Sequence, residues 1–309
     1  MTSKPRLPRG KIVTMCAAVI NEERNQPKAI LAVNDTRFSW GELSMDSGWK
    51  MQTVHRRWRV MFAGPVSPVT ALIDAVKTEV ASAKTTPYRA FARQCAKAYR
   101  EERRRLIESE ILGEHDIHSY AEYEALKNTS DNALYEAIRE KIKKEEQEWN
   151  LLFIGFDDVG KPHIFVITEY GKIQWCDLFA FAAIGSGAWI AHHALAQFGY
   201  NRFMARSEAT YGLLAAKFAS ESADGVGKKT GFLILKDADR LGRTVPGLNV
   251  KDIRTIKQDW EGLPRYSPTI LSAIDKMLAE SQAQHQPRID NPLKGYIKRS
   301  TSRKSRRGK

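Results

Sequence analysis

Four short apolar runs crowd into the first 64 residues, and no helix-length pattern separates them. VTMCAAVI (13–20) and AILAV (29–33) flank the polar stretch NEERNQPK, which predicts a hairpin. DTRFSWGELSMDSG (35–48) reads as a long turn-rich connection, and WKMQTV (49–54) and WRVMFAG (58–64) as two more strands. Pro65 and Pro68 then punctuate the chain, and residues 68–83 carry apolar side chains at helical spacing. From Tyr88 to Trp149 the composition shifts to Ala, Glu, Lys, Arg and Leu. Two long helices are expected there, at about 88–112 and 118–149, with polar breaks near Gly113–His118 and Asn128–Asp131. A second hairpin follows around Val159–Gly160, then helices over 185–200 and 208–223, a strand over 230–237, and helical sequence over 250–285. Strands and helices thus come in blocks. That order predicts an α+β layered fold and disfavours the alternating βαβ unit. No internal repeat of fixed period is present.

Of the 309 residues, 42% are hydrophobic and 28% charged, enough to bury a core. No run of 18 apolar residues occurs, which argues against a membrane-spanning helix. The first 20 residues lack the long apolar stretch of a secretory signal. Cys16, Cys95 and Cys176 are odd in number and far apart. They exclude a disulfide scaffold and a CxxC metal site, and they fit a reducing cytoplasm. The net charge of +13 is unevenly spread. Residues 1–11 carry +4 and residues 294–309 carry +8, with no acid in either, while 12–293 holds 37 basic and 36 acidic side chains. The terminal basic stretch reads either as a disordered solubilising tail or as a nucleic-acid contact acting through counterion release.

No cofactor or metal is expected. Gly225-Val-Gly-Lys-Lys-Thr230 lacks phosphate-loop spacing and leads into a strand. His192 and His193 are neighbours and diverge by about 100° on a helix, and His115 and His118 have no cysteine partner.

Five short motifs fall in a fixed order. Thr14-Met15-Cys16-Ala17-Ala18-Val19 opens the first strand, and Asn34-Asp35-Thr36-Arg37 closes the second. Gly48-Trp49-Lys50 opens the third, and Phe62-Ala63-Gly64 closes the fourth. Gly185-Ser186-Gly187 leads into a helix much later. In this order and spacing the chain resembles the proteasome β-subunit family of N-terminal-nucleophile hydrolases, bacterial proteasome-like proteases included. The resemblance covers roughly 13–83 and 150–237 and implies a four-layer αββα sandwich. The organisation it suggests is a leader or possible propeptide (1–13), a proteasome-like domain (14–249) with a helical extension at about 88–149, C-terminal helices (250–285) and a basic disordered tail (286–309). Residues 88–149 run longer than the family's two helices and are expected to extend outward, as an interaction spur or simply as a solvated helical face.

The resemblance also implies roles for particular residues. Thr14 would be the nucleophile, and a threonine hydroxyl needs a base close by. Its own α-amine, once freed, has a pKa of about 7.7–8.0, in the range where a general base works. Lys50 would favour the neutral amine, Asp35 would hold Lys50, and the Gly64 N–H would bind the oxyanion. Ser186 and Asp224 would support the nucleophile, although Ser186 between glycines also fits a simple helix cap. Three features depart from the family pattern: Val13, not glycine, precedes Thr14; the 21–28 loop is about five residues longer; and no serine lies three residues after Asp224. The expected activity is a threonine-type peptidase acting on peptide or unfolded protein, assembled as a homo-oligomeric ring of at least six chains, with an ATPase partner possible. The alternative is a catalytically silent scaffold of the same fold, its basic tails binding nucleic acid or an acidic partner.

Overall fold

The computed structural model describes residues 14–40, 43–46, 50–82, 87–146, 149–237, 243–262 and 268–284. The expected leader and basic tail lie outside the described residues. The first hairpin forms as the apolar runs predict. β1 (Met15–Asn21) pairs antiparallel with β2 (Ala29–Asp35), Asn21 facing Ala29 across the 22–28 loop. The extra loop length thus leaves the ladder intact, as a surface insertion can. All fourteen strand residues are buried, because the pair lies mid-sheet with both faces covered. The sheet order is β10-β1-β2-β11-β12, with β10 (Phe181–Gly185), β11 (Thr230–Lys236) and β12 (Arg243–Pro246).

A second five-stranded sheet runs β5-β6-β7-β8-β9 in simple meander order. Its strands are β5 (Met51–His55), β6 (Trp58–Ala63), β7 (Asn150–Phe156), β8 (Pro162–Thr168) and β9 (Lys172–Trp175). Strand alternation divides its side chains. Met61, Leu152, Ile154, Ile164 and Val166 join the core of the first sheet. Val60, Phe62, Phe153 and Phe165 face the other way, into a second core under α1 (Val66–Val80) and α2 (Tyr88–Ile107). Phe153 and Phe165 stack there at 4.6 Å, as do Trp58 and Phe91. On the outer side of the first sheet, α6 (Arg206–Ser220) packs on β1 and β2, and α5 (Ala188–Gln197) on β10 and β1.

Several expectations needed correction. The 35–48 connection contains a small hairpin, β3 (Arg37–Trp40) with β4 (Leu43–Asp46). The single helix expected over 118–149 is three pieces: α3 (Tyr120–Ala125), a 3-10 turn at Leu126–Asn128, and α4 (Asn132–Glu146). Asp116 at φ 56° ends the preceding segment, and Ser119 caps α3 by accepting the Glu122 N–H at 3.2 Å. This region also carries its own apolar contacts, with Tyr123 stacked on Tyr135 at 4.7 Å above buried Ile111, Ile138 and Ile142. The helix expected from residue 185 begins at 188, because 181–185 form β10. The C-terminal helices expected over 250–285 need no such correction: α7 (Val250–Gly262) and α8 (Pro268–Gln284) lie there, both packed on α6. Among the described residues no helix is long and apolar enough to cross a membrane.

Candidate active site

Thr14 lies one residue before β1 with 3% of its surface exposed. Lys50, one residue before β5 on the other sheet, donates from Nζ to Thr14 Oγ1. The same ammonium reaches Asp35 Oδ1 at 2.5 Å. Asp35, at the end of β2, is fully buried and accepts the Met15 N–H at 2.6 Å on Oδ2 and the Arg37 N–H at 3.0 Å on Oδ1. A buried carboxylate with two amide donors and a cation is well compensated for its lost hydration. The result is a hydroxyl, an ammonium and a carboxylate in one line, contributed by two sheets.

The carbonyl side of Thr14 is held separately. Ser186 Oγ donates to Thr14 O at 3.3 Å, and the Gly187 N–H points at the same oxygen at 3.4 Å. Gly185 makes this contact possible. Its φ of 94° suits glycine, and a Cβ there would lie 2.2 Å from Thr14 O. Ser186 therefore holds Thr14 from the turn before α5, a contact that the cap reading did not require.

Gly64 follows β6 directly at φ 136°, again a glycine conformation. Two residues earlier, the Phe62 carbonyl accepts from Cys16 Sγ at 3.5 Å, so this end of β6 lies over the start of β1. Cys16 itself is no competitor for Thr14. Burial pushes its thiol up to about 12, with Lys50 pulling it back and Asp35 pushing it further. The thiolate is the reactive form, so Cys16 is chemically quiet near neutral pH. Native protein at pH 8 is expected to leave Cys16 unalkylated by iodoacetamide, and unfolded protein to label it. Cys16→Ala is expected to change any hydrolytic rate only a few-fold.

Asp224 sits in the turn after α6. It lines a groove of about 670 Å³ between α5 and that turn, together with Ser186, Trp189, Ile190 and His193. The adjacent histidines diverge, as their spacing implies. His192 Nε2 accepts the Ala183 N–H at 2.8 Å, burial lowering its pKa, while His193 meets Gln197 at 3.0 Å. Among the described residues no group of three or more metal-ligating side chains is gathered.

Sequence reasoning missed two residues of α6. Ser220 Oγ donates to Gly187 O at 3.1 Å, and the fully buried Lys217 donates to Gly227 O at 2.9 Å. The one available signal was a lysine and a serine set among apolar helix positions.

No family model matches this sequence, and no curated protein matches it. Solved structures do. One is the Gly-1 mutant of Anbu from Hyphomicrobium sp. strain MC1, 18% identical over 85% of this chain and 97% of that chain, with a TM-score of 0.55. Another is Anbu, an ancestral beta-subunit, from Yersinia bercovieri, 15% identical over 82% of this chain and 100% of that one, with a TM-score of 0.53. Likeness at this identity concerns the fold, which is proteasome-like.

Proposed function

We propose that this chain is a proteasome-like threonine peptidase of the N-terminal-nucleophile type, built as a four-layer αββα sandwich. The layering reading is supported by α5 and α6 against one sheet and α1 and α2 against the other. The observation that carries the functional reading is the Thr14–Lys50–Asp35 line. Once the Val13–Thr14 bond is cut, the new α-amine lies beside its own hydroxyl. The amine takes the Oγ1 proton as Oγ1 attacks the substrate carbonyl carbon. The Lys50 ammonium favours the neutral amine and stabilises charge building on Oγ1. The Gly64 N–H receives the oxyanion, a donor of a kind that contributes about 2.7–4 kcal/mol of barrier reduction. The intermediate collapses as the leaving amine takes the proton from the α-ammonium. Water, deprotonated by the same amine, then hydrolyses the Thr14 ester. The groove beside Ser186 offers the peptide a surface. In this reading Asp224 lines that surface.

Intact-mass measurement of purified protein tests this first. Cleavage between Val13 and Thr14 is expected, with labelling of the shortened chain by an electrophilic N-terminal-threonine probe. Thr14→Ala should lose peptide hydrolysis and keep the fold, and Thr14→Ser should retain part of the rate. A full-length chain inert to peptide and probe overturns the peptidase reading. The internal position of Thr14 behind Val13 favours a second reading, the silent scaffold with basic tails. In that case deleting 294–309 should abolish heparin retention and leave the core's melting temperature unchanged.

The proposal includes a cytoplasmic homo-oligomer of at least six chains. Leu178, Phe179 and Phe203 support the assembly. They are 88%, 66% and 69% exposed, and Arg202 donating to Asp177 O holds their two loops together. Exposed apolar clusters of this kind mark contact surfaces. Light scattering at micromolar concentration should give a mass of six or more chains, and a monomer would contradict it.

A further inference from the structure

Lys217 lies in the last turn of α6 with no surface exposed. Burying an ammonium is costly, and an apolar side chain of similar volume is often neutral or stabilising at such a place. Burial lowers the Lys217 pKa, and Glu221 and Asp35 pull it back. Its Nζ has two partners, Glu221 Oε1 at 2.8 Å and Gly227 O at 2.9 Å. Glu221 Oε2 in turn accepts from Lys257 of α7 at 2.5 Å. Gly227 is the hinge of the arrangement. A Cβ on it would lie 2.7 Å from the Arg37 Cβ and 3.5 Å from the Asp35 Cβ, so its backbone rests directly on the segment that supplies the site's carboxylate. The same turn of α6 also reaches Thr14 through Ser220 to Gly187 O and the Gly187 N–H to Thr14 O.

We propose that Lys217 is a positioning residue for the Thr14 site: it draws Gly227 against Asp35 and places a second buried positive charge behind that carboxylate, so that Asp35 and Lys50 stay in register with the Thr14 hydroxyl. The proposal rests on the reading of Thr14 as nucleophile for its kinetic consequence, but not for its structural one. Through Glu221 and Lys257, α7 becomes the outer end of the same brace.

The test compares full-length wild type with Lys217→Met, which keeps the length of the side chain and removes its charge and donors. For peptide hydrolysis, kcat is expected to fall at least ten-fold with KM within two-fold. Hydrogen–deuterium exchange is expected to quicken at the Met15 and Arg37 amides, which donate to Asp35, and to stay unchanged across β7 and β8. Wild-type kcat in the variant, or unchanged exchange at those two amides, overturns the proposal. If the wild type hydrolyses nothing, the peptidase reading fails, and the exchange pattern alone decides the positioning role. Should Lys217→Met not fold, Glu221→Gln replaces it. The same local quickening, to a smaller degree, is then expected, and wild-type exchange there overturns the brace.

Discussion

Lys50→Met is expected to abolish peptide hydrolysis and to lower stability by about 3–5 kcal/mol, the usual range when one partner of a buried ion pair is removed. Both members of this pair are almost fully buried, at 4% and 0% side-chain exposure, so solvent cannot replace the missing ammonium. The hydroxyl of Thr14 loses its charged neighbour in the same stroke. The double variant Lys50→Met/Asp35→Asn separates the two effects. It removes the stranded charge, so it should recover much of the stability and none of the activity. Urea midpoints and peptide turnover read this directly, and a Lys50→Met protein that turns over peptide at the wild-type rate rules out the mechanism.

Gly185→Ala is the second large effect. The added methyl would sit 2.2 Å from Thr14 O and 2.8 Å from Thr14 Cγ2, and the residue would hold φ 94° with a side chain. Backbone strain of this kind costs about 1–3 kcal/mol. Overpacking against a backbone atom adds about 1–3 kcal/mol. Since β10 pairs with β1 at Met15↔Gly185, relief can come only by pushing Thr14 away from Lys50 or by opening the end of the ladder. Together strain and overpacking give about 2–6 kcal/mol, and a melting temperature lower by roughly 4–24 °C is expected, at about 2–4 °C per kcal/mol. Hydrolysis should fall more steeply than stability predicts. Gly199→Ala is the matched control, because φ there is also positive, at 71°, but nothing lies within 4 Å. An unchanged melt for Gly185→Ala would contradict the close contact.

The first sheet was largely legible in the sequence, because β1 and β2 are continuous apolar runs on either side of a polar loop. Its edges were not. β10 is five residues of small and apolar type that merge into the Gly-Ser-Gly turn, so periodicity assigns them to the helix that follows. The same holds for β9 at the edge of the second sheet: it has exposed Lys172, Gln174 and Trp175, and little in it marks a buried strand. Asp35 and Lys50 could be picked out only by their place in an ordered set of motifs, since each alone reads as a turn or surface residue. Their meeting at Thr14 depends on two sheets packing face to face, and local patterns carry no information on that. Lys217 was hidden for the opposite reason. One lysine in an apolar helix ordinarily extends its amine to water along the helix surface, and here α7 and the 225–227 segment cover it.

The two ends of the Thr14 network also set a clock. Its first member is residue 14; Ser186, Gly187 and Gly227 follow far along the chain, and Lys257 of α7 comes last. At about 5–20 residues per second, a ribosome needs roughly 10–40 s to travel from Thr14 to Gly227. Throughout that interval the hydroxyl has emerged without the glycine turn that holds its carbonyl or the buried brace behind its carboxylate. On the peptidase reading proposed above, the nascent chain is therefore unarmed until nearly the whole domain has been made.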